Sequence, residues 1–413
     1  MALNQLREEL ELAVVKDRTD HVIGVWNDTI LIWGGWRRCG GKFCDPTTVH
    51  CYLDGIWIKR RTRGEVPPPM AGPAGGIIGD QLFVACGYRA IRYLNEEDLF
   101  PKYGTTAVTD ALYKLDLNQW TWSKMEPGGT KPLKCWRMAS WVSGKRLFLF
   151  GGIDGDKIGG QTYPESLEIL RDHVVRSNQL VYYDSATNNW YWPSTHGDIP
   201  PPRMCYAACV TNDTNSKSNL SESYAIVFGG KGINRWYNNI VILNLANMTW
   251  FKVSSNGLAL SEDLGVWPEP RCSPTLTRVS DKTAVLYGGC NRVMRILGDC
   301  WMLDFEAVIS GTNPENFWTR CLHHEGDKRE FHRAVMEPSS GRLWIVGGTD
   351  LSIKLEKPAP PIRELTITSH QKLKVLAIES VSRHLEKYGE AITMLPEDLQ
   401  RAITNKARNH IVT

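Results

Sequence analysis

Six stretches of apolar residues recur along the chain, and each ends in a pair of glycines or a near equivalent. Such a run suits a buried strand that turns sharply or lies close to another backbone, because glycine carries no Cβ. Self-similarity on this scale indicates a repeat architecture, in which each unit buries its apolar face against its neighbours. The six stretches are Thr29–Gly35, Gln81–Gly87, Arg146–Gly152, Tyr224–Gly230, Thr283–Gly289 and Arg342–Gly348.

The segments between the doublets carry further strand signals. In the clearest repeats an apolar strand leads through a polar turn to a tryptophan, and proline clusters such as Val66–Pro69 separate the units. Cys86 replaces the first glycine of the second doublet, which puts the turn geometry of that unit in question. The strand, turn and tryptophan recur in Ala111–Trp120, Leu180–Trp190 and Ile240–Trp250.

Together these features resemble the kelch repeat, and the resemblance covers residues 18–368. It implies an all-β fold, a six-bladed kelch β-propeller. After the last doublet there is only one clear strand, Ile362–Thr368, so the sixth blade is one strand short. Near the amino terminus Leu10, Leu12 and Val14 alternate as a half-buried strand would, and we expect this segment to complete the sixth blade.

Residues 369–413 depart from the strand pattern and form a second predicted domain after the propeller of residues 1–368. Apolar positions there step by three or four, as on one face of an amphipathic helix, and Pro396 suits the first turn of a second helix. The predicted fold is therefore a six-bladed kelch β-propeller with a C-terminal α-helical box. Periodicity alone is compatible with helices that pack on the propeller and with helices that bind a partner. The apolar face comprises Leu373, Leu376, Ala377, Val381, Leu385 and Tyr388.

The tail resembles the elongin-binding box and the cullin-selecting box of ubiquitin-ligase substrate receptors. In that family a leucine inserts into a pocket of elongin C, and a small residue and an aliphatic residue follow at steps of four. An apolar helix face laid into a hydrophobic groove is a common recognition mode. The resemblance implies elongin B/C binding through Leu373, Leu376, Ala377 and Val381, and cullin-2 binding through Leu395, Pro396 and Leu399.

The chain as a whole resembles the kelch-domain-containing substrate receptors of cullin-2 RING ubiquitin ligases, which recognise C-terminal degrons. In that group loop residues form a pocket, where cationic donors bind the terminal carboxylate and aromatic walls contact the last residues. Lys231 and Trp236 stand where the group has arginines, so we expect a related ligand with different end residues. The candidate ligand-binding residues are Lys231, Arg235, Trp236, Arg271 and Ser273.

Composition and charge narrow the functional class. The net charge of +3 gives no electrostatic case for binding nucleic acid or membranes. The first ten residues lack the apolar core of a signal peptide, so a cytoplasmic or nuclear location, or both, is expected. In those compartments the eleven cysteines should be reduced, and the spacing of Cys39, Cys44 and Cys51 matches no zinc motif.

No phosphate-binding loop, Ser-His-Asp arrangement or helical metal motif is detectable, so neither a cofactor nor a catalytic site is expected. The sequence therefore predicts a non-enzymatic substrate receptor. It would bind target proteins, through their C-terminal ends, on one propeller face, and elongin B/C and cullin-2 through its tail. The alternative is a kelch scaffold for cytoskeletal or signalling proteins, whose tail packs on the propeller.

Overall fold

In the computed structural model of this protein, the regular secondary structure of the described residues is almost entirely β-strand, which confirms the predicted all-β class. It divides into two compact units, Met1–Leu365 and Thr366–Thr413. The α-helix Phe305–Ser310 and the 3-10 turn Pro314–Asn316 interrupt the strands of the first unit. The structure describes residues 15, 17–38, 40–53, 56–90, 106–154, 176–211, 223–233, 235–254, 266–321, 326–337, 341–350 and 362–366.

Each doublet-ending strand lies in a separate sheet, and we number these sheets 1 to 6 in chain order. Within each sheet the strands follow one another in chain order from the first strand outward. Sheet 1 contains Val22–Trp26, Thr29–Trp33, Thr48–Leu53 and Ile56–Arg61; sheet 2 contains Ala74–Ile78, Gln81–Ala85, Leu112–Asp116 and Thr121–Met125; sheet 3 contains Ala139–Ser143, Arg146–Phe150, Leu180–Asp184 and Asn189–Tyr191.

The remaining three sheets repeat this order with local differences. Sheet 5 has the longest strands, and sheet 6 has three strands within the described residues. Sheet 4 contains Ala207–Val210, Tyr224–Phe228, Ile240–Asn244 and Thr249–Lys252; sheet 5 contains Thr275–Arg278 as its first strand, then Thr283–Asn291, Ile296–Asp304 and Trp318–Arg320; sheet 6 contains Arg333–Glu337, Arg342–Val346 and Ile362–Thr366. In sheet 5 the short strand Arg271–Cys272 also pairs with Thr283–Asn291.

Short strands complete the sheets and link their ends. A two-residue strand from the preceding segment pairs in parallel with the outer strand of sheets 2, 3 and 4; these strands are Arg63–Gly64, Gly128–Gly129 and His196–Gly197. Three small sheets form where the doublets end; they comprise Arg18–Thr19, Trp36–Arg37 and Lys42–Phe43; Met70–Ala71, Tyr88–Ala90 and Thr106–Val108; and Cys135–Trp136 and Ile153–Asp154.

The first strands of the six sheets contact one another in a closed cycle. Each touches the first strand of the next sheet, and Arg333–Glu337 of sheet 6 touches Val22–Trp26 of sheet 1. The core lies between adjacent sheets, where large aromatic and aliphatic side chains interdigitate. In sheet 4, for example, Ala225 and Val227 face sheet 3, whereas Ile226 and Phe228 face sheet 5. The doublet strand is buried on both sides because it lies between two neighbours, which explains its continuous apolar run.

The doublet positions require glycine because neighbouring segments of the chain lie too close to them for a side chain. In sheet 4 both glycines have positive φ, 73° for Gly229 and 94° for Gly230. A Cβ on Gly230 would lie 2.7 Å from Cβ of Tyr206 and 3.0 Å from the carbonyl oxygen of Met204. Cys86, at the first position in sheet 2, has φ of 61° and so keeps the left-handed turn despite its side chain.

The two ends of the described body meet between sheets 6 and 1. The amide of Gly348 donates to the carbonyl oxygen of Arg18 at 2.8 Å, and Val15 is fully buried against Trp344 and Val346 of sheet 6. The segment containing Leu10, Leu12 and Val14, predicted to complete this region, lies outside the described residues.

Candidate functional site

All six doublets end at one face of the body, which we call the doublet face. There the segment before each first strand meets the segment after the doublet, as when Arg18–Thr19 pairs with Trp36–Arg37. In sheet 4 the corresponding contact is a bridge between Met204 and Lys231. The five candidate ligand-binding residues lie in these segments of sheets 4 and 5, so the structure brings them to the same face.

An axial ring of six residues closes the centre of this face. Each member lies two positions before a first strand and has a positive φ, between 53° and 60°. Backbone N–H groups of five members donate to the carbonyl oxygen of the preceding member at 2.6 to 3.4 Å. The ring therefore ties neighbouring sheets together by main-chain bonds. Its members are Asp20, Gly72, Arg137, Cys205, Ser273 and Phe331.

The side chains of the ring form a compact polar cluster. Arg137 donates to both carboxylate oxygens of Asp20, at 3.1 and 2.9 Å, and stacks over the Phe331 ring with its guanidinium carbon 4.2 Å from the centroid. Arg38 lies 3.7 Å from the carboxylate of Glu330. Burial raises the pKa of Glu330 to about 7, although Arg38 and Arg137 oppose this shift. The centre of the face is thus polar and largely internally paired.

Arg271 is buried inside the fold, which contradicts the prediction that it binds the carboxylate of a ligand. It has no exposed surface, and its guanidinium donates to both oxygens of Asp299 at 2.6 and 2.7 Å and to the carbonyl of Gly288 at 3.0 Å. The same contact with the first doublet glycine recurs in sheets 1, 4 and 6; there the donors are Arg18, Arg203 and Arg329, and the acceptors are Gly34, Gly229 and Gly347.

Ser273 belongs to the axial ring, where its side chain is buried, with the residue 7% exposed. Its hydroxyl lies beside the thiol of Cys205, whose pKa is raised mainly by burial. Within the described residues Ser273 is thus packed at the axis and does not lie on the open surface with Lys231. A ligand would have to displace ring contacts to reach it.

Lys231, Arg235 and Trp236 form a small cationic loop on sheet 4. Lys231 and Trp236 face each other across an isolated bridge, with the ammonium nitrogen 5.3 Å from the indole centroid. The amide of Gly232 donates to the carbonyl of Arg235 at 2.7 Å, which closes the loop. Arg235 is exposed and lies over Tyr237, its guanidinium carbon 5.7 Å from the ring centroid. The three predicted residues are therefore brought together on the doublet face.

Exposed apolar side chains lie in this loop and in the loop that follows the doublet of sheet 5. Ile233 is 59% exposed within it, and Val293 and Met294, in the loop after the doublet of sheet 5, are 74% and 44% exposed. Trp236 packs against Cys272 and other buried residues at the base of that second loop. Large apolar side chains left in water beside cations are typical of surfaces that bind a partner.

A row of four aromatic residues, in the small sheets beside sheets 1 to 3, was not predicted from the sequence. Neighbouring ring centroids are 4.9, 5.9 and 5.5 Å apart along the row. The guanidinium of Arg137 lies 4.5 Å from the last ring and joins the row to the axial ring. Two members directly follow doublets, which is the signal that the sequence offered. The row comprises Trp36, Phe43, Tyr88 and Trp136.

The tail residues assigned to partner binding lie outside the described residues; they are Leu373, Leu376, Ala377, Val381, Leu395, Pro396 and Leu399. Among the residues that the structure does describe, no three His, Cys, Asp or Glu side chains are grouped so as to hold a metal ion. No helix in this described part is long and apolar enough to cross a membrane.

Comparisons with known proteins agree with this architecture. The sequence matches the family described as the KLHDC2/KLHL20/DRC7 Kelch-repeats domain over residues 20–263 and 158–357. It is 23% identical over 413 residues to Kelch domain-containing protein 2 of Bos taurus, covering 97% of this chain and 93% of that protein. It is 25% identical over 341 residues to Kelch domain-containing protein 1 of Mus musculus, covering 76% and 75% respectively.

A solved structure, described as "Structure of YjhT", has a similar fold. It superposes with a TM-score of 0.59 and 15% sequence identity, and the match covers 86% of this chain and 96% of that one. The repeated sheets, their doublets and these matches define a kelch-repeat protein. The chain belongs to the KLHDC2/KLHL20/DRC7 kelch-repeat family.

Proposed function

We propose that this protein is the substrate-recognition subunit of a cullin-RING ubiquitin ligase. Its body would be a six-bladed kelch β-propeller, and its helical tail would recruit elongin B/C and cullin-2. In this proposal it has no catalytic site and acts in the cytoplasm, the nucleus or both. The closed cycle of six sheets supports the blade count, and the family match supports a substrate-binding body.

The proposed ligand is the free C-terminal end of a target protein, bound at the loop of Lys231, Arg235 and Trp236. The observation that carries this is the juxtaposition of two cations with the half-buried Trp236 and the exposed side chain of Ile233 in one loop. A carboxylate would accept charge-assisted hydrogen bonds from the cations. The apolar side chains would contact the residues that precede it. Arg271 is not part of this site, because its guanidinium already donates to Asp299 and to the carbonyl of Gly288.

A peptide screen tests this assignment. Peptides with free carboxyl ends should bind the full chain, and the same peptides should fail once amidated. Lys231→Glu and Arg235→Glu should each weaken a hit by about tenfold to a hundredfold, equivalent to roughly 1.5 to 3 kcal/mol for a charge-assisted bond. Lys145→Glu is the matched control, because Lys145 is exposed on a hairpin at the opposite end of sheet 3. Equal binding of amidated peptides would refute recognition of the terminus.

The tail assignment is tested separately. Leu373→Asp places a charge at the position proposed to enter the elongin C pocket, so co-purification with elongins B and C should be lost. Lys374→Asp introduces the same residue one position along, about 100° around a helix, and should retain the complex. Leu395→Asp should spare elongin binding and reduce cullin-2 binding. If Leu373→Asp leaves the elongins bound, the adaptor assignment is wrong, whatever the peptide screen shows.

A further inference from the structure

The first strands enclose a cavity on the axis, on the side of the axial ring away from the doublet face. Its volume is about 200 Å³, which is room for several water molecules or a small ion. Contributions come from all six sheets, among them Gly75, Ser140, Thr277 and Arg333. The surface of this cavity is largely polar, unlike the apolar core between the sheets.

Arg333 is the exception among the residues that begin the first strands. In the other five sheets this position holds a small or aliphatic residue; these are Val22, Ala74, Ala139, Ala207 and Thr275. Arg333 donates through Nε to the carbonyl of His21 at 2.9 Å. Its two terminal nitrogens make no hydrogen bond or ion pair with any described residue, and it is accessible from the cavity. The cavity thus contains a guanidinium whose forked end is unpaired.

The carboxylate that acts on Arg333, that of Asp20, is already paired elsewhere. Asp20 accepts two hydrogen bonds from Arg137, and Glu330 lies beside Arg38. Burial lowers the pKa of Arg333, and the charge of Arg137 adds to this effect, whereas Asp20 opposes it. A partly desolvated cation whose one nearby carboxylate, that of Asp20, is shared with Arg137 is costly in a folded protein. An anion in the cavity would offset that cost.

We propose that the axial cavity is a binding site for a small oxyanion, held by the terminal nitrogens of Arg333. The planar guanidinium fork suits the paired oxygens of a phosphate or carboxylate group. Thr277 lines the same cavity, and its hydroxyl makes no hydrogen bond with any described residue, so the cavity also offers a neutral donor. This site is independent of the proposed C-terminus pocket, because it lies on the other side of the axial ring.

Inorganic phosphate is the first probe, with acetate and chloride compared at matched ionic strength on the full chain. The melting temperature should rise with phosphate by on the order of a few degrees as the site fills. Phosphate also stabilises proteins without binding, so variants must separate the two effects. Arg333→Gln should abolish the specific rise, whereas Arg292→Gln should keep it, because Arg292 is an exposed loop residue. Acetate acting like phosphate would identify a carboxylate site, and phosphate acting alone a phosphate site.

A crystal soaked in sodium selenate, an oxyanion with an anomalous signal, provides a second measurement on the unmodified protein. An anomalous peak beside the Arg333 guanidinium would support the site even if Arg333→Gln does not fold. Identical phosphate dependence in the unmodified protein, Arg333→Gln and Arg292→Gln would overturn the proposal. The absence of a selenate peak, if Arg333→Gln does not fold, would overturn it as well.

Discussion

At the scale of single residues, four buried arginines hold the doublet turns. Each lies four positions before a first strand and donates to the carbonyl of the first doublet glycine in its own sheet; they are Arg18, Arg203, Arg271 and Arg329. These four guanidinium groups already donate hydrogen bonds within the fold. A charged residue near a doublet therefore does not by itself indicate a ligand contact. The sequence does contain this recurrence of arginine four positions before a first strand. When the first strands are aligned, Arg271 falls at that structural position, whereas Lys231 directly follows a doublet.

Arg271→Met should be strongly destabilising. It leaves Asp299, whose side chain is only 15% exposed, without its bidentate partner, although Trp301 still donates to it at 2.6 Å. Burial would raise the pKa of Asp299, yet Arg271 holds it below its usual value, so the ion pair stabilises the folded state. Breaking such a pair from one side costs about 3–5 kcal/mol. Urea unfolding of the variant should show this loss.

Arg295→Met is the matched control for that measurement. Arg295 also pairs with a carboxylate, that of Glu269 at 2.9 Å, but its side chain is 62% exposed. An exposed pair contributes about 1 kcal/mol or less. Equal losses in the two variants would contradict a structural role for the buried arginine.

At the scale of elements, the doublet is a turn in which the second glycine touches the segment before the first strand. Gly230→Ala should therefore cost more than backbone strain alone, because its Cβ would meet Tyr206 and the carbonyl of Met204. Gly144→Ala is the matched control, since Gly144 has φ of 58° and nothing within 4 Å of its added Cβ. The control should lose roughly 1–2 kcal/mol, and Gly230→Ala about 1–3 kcal/mol more. Equal losses, measured by urea unfolding, would mean that the close approach is not required.

The same elements show which parts of the fold could be predicted from the sequence. Strands such as Arg146–Phe150 are predictable because a local apolar run and a glycine doublet determine them. The axial ring was not predictable, because residues such as Asp20 and Arg137 meet only through the registration of sheets far apart in the chain. Arg333 was not predicted for the same reason. In the sequence it is an ordinary charged residue beside His332, and only the folded structure shows that the six first strands surround it.

At the scale of the whole molecule, the polar cluster on the axis should make stability depend on pH. Glu330 is 3% exposed, and its surroundings come from different sheets: Arg38 and Asp20 from the first, Arg137 from the third. Desolvation raises its pKa from 4.5 to about 7, since the cations only partly compensate. The native state thus holds this proton more tightly than the unfolded chain does.

Glu330→Gln should remove this pH dependence. For a carboxyl with a raised folded-state pKa, the stabilisation is complete below pH 4.5 and is lost as the pH rises through about 7. The buried histidines act in the opposite sense, because burial lowers the pKa of His50 to about 2 and that of His332 to about 3. The comparison must therefore be made between the two proteins at each pH. Between pH 5 and 8 the unmodified protein should lose roughly 2.5 kcal/mol of unfolding free energy relative to Glu330→Gln. Parallel curves for the two proteins would show that Glu330 is ionised throughout and that Arg38 and Arg137 outweigh its burial.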